Sequence, residues 1–265
     1  MIGVFDSGVG GMTVSRAIEK ILPAYRQIYF GDLARSPYGS KSPATITRYA
    51  FENTEFLLSK GATLIVVACN SAASAAAESL SKAFDVPIFE VITPAVESSV
   101  ESSARGRIGV IGTRATIMSG IYEKKIREID PSFQVFSTEC PLLVPLVEEG
   151  WSNKKETKTI LKSYLNPLKY KAIDTLVLGC THYPLLKDLI QPRIGKGVRI
   201  IDSSETVAAG LKTYLENNPE IAASLCKSGV NQYYVSDITE AAKITARRIF
   251  GREILLEPVS SYKTG

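Results

Sequence analysis

The chain has 265 residues, 45% of them apolar, with 31 Lys and Arg against 27 Asp and Glu. These values describe an ordinary soluble globular protein of one large or two modest domains with a sizeable core. The slight excess of basic residues is scattered, and the one lysine-rich stretch, Lys154 to Lys162, reads as a solvated helix face, so the balance argues against a nucleic-acid partner.

At the N-terminus a strand-like run, IGVF at 2 to 5, leads into FDSGVGG at 5 to 11. With no basic leader or cleavage site before it, and no apolar stretch near the ~18 residues of a membrane span, a cytoplasmic protein without membrane contact is expected. A glycine-rich turn after a strand often holds a phosphate on exposed backbone N–H groups. Asp6 at the mouth of this turn would repel one. Gly8, Gly10 and Gly11 also match neither GxGxxG nor GxxxxGK[ST], so the loop suits a ligand that carries a positive charge as well.

Further strands are predicted at 27 to 30, 64 to 68 and 87 to 92, and a second series at 107 to 112, 133 to 138, 175 to 179 and 198 to 202. Two more follow at 231 to 236 and 253 to 258. Helical stripes such as Val14, Ile18, Ile21, Leu22 and Val207, Leu211, Tyr214, Leu215 lie between them, which is the rhythm of parallel strands joined by crossover helices. IGVFDS at 2 resembles IGVIGT at 108, and IVVACNS at 65 resembles LVLGCTH at 176. Matching landmarks in the same order predict a duplicated unit. The expected fold class is α/β: two pseudo-symmetric, doubly wound, flavodoxin-like parallel-sheet domains with a site in the cleft between them. One domain is expected to comprise 1–92 plus 206–265, its C-terminal segment packing back on it, and the other 93–205, since ~60 residues after Ser204 would make a poor independent domain.

The cysteines at 69, 140, 180 and 226 have no CxxC spacing and read as free thiols, not as a disulfide scaffold or a metal site. Cys140 and Cys226 are read as small hydrophobes. Cys69 and Cys180 each end a predicted strand, where open α/β sheets bind ligands. Each also precedes a predicted helix, whose N-terminus would lower the thiol pKa toward the working range. A redox couple, a nucleophile with a helper and a two-base proton exchange compete for this pair, and only the last uses both thiols across one cleft. His182, the single histidine, stands two residues after Cys180 and can couple to it.

FDSGVGG, GDLARSPYG at 31 to 39, VACNSA at 67 to 72, VPLVEEG at 144 to 150 and LGCTHYPLL at 178 to 186 together resemble the glutamate racemase family of the aspartate and glutamate racemase superfamily. The resemblance implies racemisation without pyridoxal phosphate or another cofactor, with D-glutamate supplied to peptidoglycan synthesis. Cys69 would take the α-proton from D-glutamate and Cys180 from L-glutamate. Asp6, Asp32, Glu148 and His182 would assist the thiols, although spacing alone barely separates Glu148 from Glu149. The substrate-binding set implied is Asp6, Ser7, Pro37, Tyr38, Gly39, Asn70, Ser71, Thr113, Thr181 and His182, in which hydroxyls and backbone N–H groups hold carboxylates and an acid attracts the ammonium. A homodimer is implied. Ser71 and Ser74 replace the threonines usual in the family, which keeps the hydroxyls. The start of the chain at its first strand puts in doubt the activation by a peptidoglycan precursor seen in members with an N-terminal extension. An aspartate racemase of the same superfamily and a non-catalytic amino-acid-binding module remain the alternatives.

Overall fold

The structure is a computed structural model and describes residues 1–259; the last six residues of the predicted C-terminal segment, 260–265, lie outside the described residues. In chain order its strands are β1 (Ile2–Asp6), β2 (Gln27–Gly31), β3 (Leu64–Val67), β4 (Ile88–Glu90), β5 (Arg107–Gly112), β6 (Gln134–Glu139), β7 (Thr175–Gly179), β8 (Arg199–Asp202), β9 (Gln232–Val235) and β10 (Leu256–Pro258). They form a six-stranded sheet of order β10-β9-β2-β1-β3-β4 and a four-stranded sheet of order β6-β5-β7-β8. Every pairing is parallel.

The pseudo-repeat predicted from landmarks is visible as topology. The order β2-β1-β3-β4 in the first sheet is repeated as β6-β5-β7-β8 in the second, and β9 and β10 extend the first sheet beyond β2. Central strands β1, β3 and β7 are buried along their whole length, as apolar runs covered by helices on both faces must be. A large core surrounds the first sheet and takes in Ile108, Val110, Val177 and Ile201 from the second. The other face of the second sheet, with Ile111, Leu176 and Leu178, packs a separate cluster with Leu161 and Leu165 of the helix Lys155–Tyr170 and with Ile190 of the helix Lys187–Ile194.

Two strands have only half the length that the sequence predicts. Residues 87 to 92 contain β4 only to Glu90, because Ile92 opens a helix, Ile92–Ser102. The Glu90 carboxylate accepts the backbone N–H of Ile92 and, at 2.9 Å, that of Thr93, satisfying donors that a helix start leaves unpaired. Of 253 to 258, only the last three residues are extended in the sheet.

Candidate active site

The winding direction reverses between β1 and β3 in the first sheet and between β5 and β7 in the second, and the crevice beyond such a switch is where these folds hold ligands. In the first sheet the crevice lies beyond β1 and β3, which deliver Asp6 and Cys69. In the second it lies beyond β5 and β7, which deliver Thr113 and Cys180. The two crevices meet. A cavity of about 20 Å³ between them is lined by Cys69, Cys180, Ser7, Asn70, Ser71 and Thr181, with Pro37, Tyr38, Gly39, Thr113, Val144 and His182 completing the wall. Residues 175 positions apart touch across it: Thr181 Oγ1 donates to Asp6 Oδ1 at 3.3 Å.

Close backbone approach explains the glycines of the first loop. A Cβ at Gly10 would collide with the His182 ring and lie 2.7 Å from Thr181 Oγ1, and one at Gly11 would collide with Asp6 Cβ. Their absence of side chains lets the loop of one half lie against the cysteine loop of the other. Asp6 itself is fully buried below the cavity, and its carboxylate accepts the N–H of Gly8 at 3.0 Å. It does not line the cavity wall. Burial pushes the Asp6 carboxyl upward, opposed by the His182 charge and by the backbone N–H groups of Gly11 and Gly8.

The two thiols are 5% and 6% exposed, and their surroundings differ. Cys69 caps the helix Asn70–Ala83 and lies 3.6 Å from Ser7 Oγ. Its thiol is nevertheless pushed up to about 12, by burial first and by the Asp6 charge second; the N–H of Ala72 and the Ser7 hydroxyl oppose this without prevailing. The helix N-terminus therefore does not lower this thiol as the sequence predicts, because desolvation and a neighbouring carboxylate outweigh it. Cys180 meets no α-helix start. The chain after it makes only a short 3₁₀ turn, Tyr183–Leu186, before the helix Lys187–Ile194. Its charge partner is His182, whose Nδ1 lies 3.9 Å from Cys180 Sγ.

Glu148 Oε1 accepts from His182 Nε2 at 3.0 Å, while Glu149 is exposed; both carboxylates border a neighbouring cavity with Asp237, and Glu148 is the one that reaches the imidazole. Geometry thus separates the two carboxylates that spacing could not. Burial lowers the His182 pKa, but hydrogen bonds to Cys180 and Glu148 outweigh it and push the imidazole up to about 10. Both ring nitrogens face an acceptor, which favours the charged imidazolium.

Asp32 is not brought to the thiols. Fully buried, it pairs with Arg35 Nε at 2.6 Å, accepts from Ser236 Oγ at 3.0 Å and accepts the Tyr38 hydroxyl. Asn53 Nδ2 donates to the same Tyr38 oxygen at 3.0 Å, so Asp32 positions Tyr38 from outside the cavity. Asn70 is held by Tyr122, whose hydroxyl donates to Asn70 Oδ1 at 2.7 Å, and its buried Nδ2 has no protein partner. Ser71 Oγ and Thr113 Oγ1 lie 2.8 Å apart across the cleft. Val144 and Tyr122 were not predicted. Val144 could have been read from VPLVEEG, whereas Tyr122 carries no local signal. No lysine is among the described residues lining the cavity, and no cluster of three or more potential metal ligands exists among the described residues.

An α/β chain of two parallel sheets with two thiols and a histidine on one enclosed cavity defines a cleft enzyme equipped for acid and base work on opposite sides of a small molecule. The family model for Asp/Glu/Hydantoin racemases matches residues 2–211. A glutamate racemase from Geobacter metallireducens is 43% identical, over 96% of this chain and 93% of its own. Among solved structures, a glutamate racemase from Bacillus anthracis superposes with a TM-score of 0.91 at 37% identity, covering 98% of this chain and 97% of its own. One from Francisella tularensis, solved with D-glutamate, gives 0.89 at 36% identity over 98% and 97%. The chain belongs to the Asp/Glu/Hydantoin racemase family.

Proposed function

We propose that this chain interconverts L- and D-glutamate by a two-thiol mechanism without a pyridoxal cofactor. The observation that carries the reading is Cys69 and Cys180 on the wall of one cavity, at the ends of corresponding strands of the two half-repeats. In the L-to-D direction the Cys180 thiolate takes the α-proton and the Cys69 thiol gives its proton to the opposite face of the same carbon; the D-to-L direction reverses both steps. The unpartnered Asn70 Nδ2 and the Ser71–Thr113 hydroxyl pair are placed to donate to substrate carboxylates, while Asp6, which accepts the Thr181 hydroxyl, offsets the ammonium from beneath the wall. The relatives named above are glutamate racemases, and one is solved with D-glutamate.

A cavity of about 20 Å³ holds little more than one water, so substrate entry requires the halves to open and catalysis requires them to close again. The working arrangement proposed is a cytoplasmic homodimer, each subunit divided into 1–92 plus 206–265 and 93–205, that supplies D-glutamate to peptidoglycan synthesis. No described helix is long and apolar enough to cross a membrane. The test is incubation with each enantiomer of glutamate and aspartate in deuterated water, without added cofactor, following optical rotation and α-deuteration. Glutamate should racemise with solvent deuterium at Cα. Exchange of aspartate alone would move the chain to an aspartate racemase, and exchange of neither would leave a binding module.

A further inference from the structure

Two-base racemisation requires one thiolate and one thiol at the start of each turnover, and the shared fold treats the two cysteines alike. Their neighbours do not. Cys180 Sγ faces His182 Nδ1, and the far nitrogen of that ring is held at 3.0 Å by Glu148, so a carboxylate stabilises a cation and the cation faces the sulfur. Cys69 has the Ser7 hydroxyl as its side-chain partner, and the buried Asp6 carboxylate nearby disfavours a second negative charge.

We propose that the substrate-free protein rests with its thiolate on Cys180, paired to the His182 imidazolium that Glu148 holds, and with Cys69 as the neutral thiol. The proposal rests on the two-thiol reading above and assigns that reading's starting state. The resting form is then the one that accepts L-glutamate. D-glutamate needs the other form, in which the Cys69 S–H bond has broken and a proton has been gained at Cys180 Sγ. Glu148 touches no substrate in this scheme; it is a positioning residue acting through His182. Steady-state kcat/KM cannot reveal the asymmetry, because an equilibrium constant of one forces that ratio to be equal for the two enantiomers. The charge state of the free protein can.

Equal exposure on one cavity makes the thiols fair competitors for a small alkylating reagent, and the thiolate is the reacting form. Limited labelling of the substrate-free protein with iodoacetamide at neutral pH, read by peptide mass spectrometry, should modify Cys180 at least ~10-fold faster than Cys69, since each pKa unit between two thiols is a tenfold difference in thiolate. Half-exposed Cys226 reports reagent activity. Glu148→Gln keeps an acceptor for His182 and removes the charge, and it should slow Cys180 several-fold without slowing Cys69. A second measurement is independent of reagent access: Cys69→Ser should retain thiolate ultraviolet absorbance at neutral pH and Cys180→Ser should lose it, relative to the double variant. Labelling of Cys69 as fast as Cys180, an unchanged ratio in Glu148→Gln, or thiolate absorbance that survives in Cys180→Ser would each overturn the assignment. None of these readouts requires turnover, so a failure to racemise glutamate would be recognised separately.

Discussion

Cys69 and Cys180 close corresponding strands, β3 and β7, beside corresponding first strands, yet one loop continues into a fourteen-residue helix and the other into a four-residue 3₁₀ turn. The first loop surrounds its sulfur with a hydroxyl and a buried carboxylate, the second with an imidazolium held by a glutamate. Duplication of the fold supplies position, and the charged neighbours supplied by other elements set the chemistry. A thiol at the end of a strand is not reactive by location alone; desolvation raises it unless a fixed positive charge faces it.

Removing either sulfur should have the largest effect. Cys69→Ala and Cys180→Ala each delete a group that serves as base in one direction and acid in the other, so racemisation should fall by ~10⁴-fold or more in both directions. Circular dichroism and melting should show the fold retained, and turnover in either variant would break the pairing of the two loops. Glu148→Gln should lower kcat/KM by about tenfold to a hundredfold for both enantiomers, the equivalent of about 1.5–3 kcal/mol for a charge-assisted hydrogen bond, and Glu149→Gln should leave it near wild type. An equal loss in the two variants would remove the distinction drawn between those carboxylates.

Gly11→Ala tests the approach of the halves from the other side. With its Cβ against Asp6 Cβ, the variant should lose about 1–3 kcal/mol in denaturant unfolding, and a neutral result would mean the loop has room to shift. A pH slope tests the charged neighbours of His182. His182 is raised from 6.5 in a free chain to about 10 when folded, so folding favours its protonated form. Its contribution to stability is therefore complete below about pH 6.5 and lost as pH rises toward about 10. The melting temperature of the wild type should decline across that window more steeply than that of His182→Asn. Parallel profiles would detach His182 from its charged partners.

Much of this was legible in the chain. Strand rhythm, the two half-repeats and the motif-borne site residues could be read locally, because apolar runs and loop chemistry are written in consecutive residues. The shift of Ile92 from strand to helix was not, since it depends on Glu90 turning its carboxylate onto the N–H groups that follow. Asp32 was legible as part of a motif but not as a partner of Arg35 and Tyr38, a placement made by the packing of the helix Pro43–Ser59, which carries Asn53, against the same loop. The pKa expectation for Cys69 missed for a similar reason. Helix position is a local property, whereas burial and the Asp6 charge arrive from β1, some sixty residues away.

The sequence by itself determined the α/β class, the doubled unit and the identity of the residues around the cleft, because short-range patterning and motif spacing encode them. Only the tertiary structure decided which carboxylate faces His182, which residues stand behind the wall instead of on it, and that two similar cysteine loops carry opposite electrostatic surroundings. Those outcomes depend on distances between groups far apart in the chain and on the exclusion of water from between them, and neither quantity exists until the two sheets have packed together.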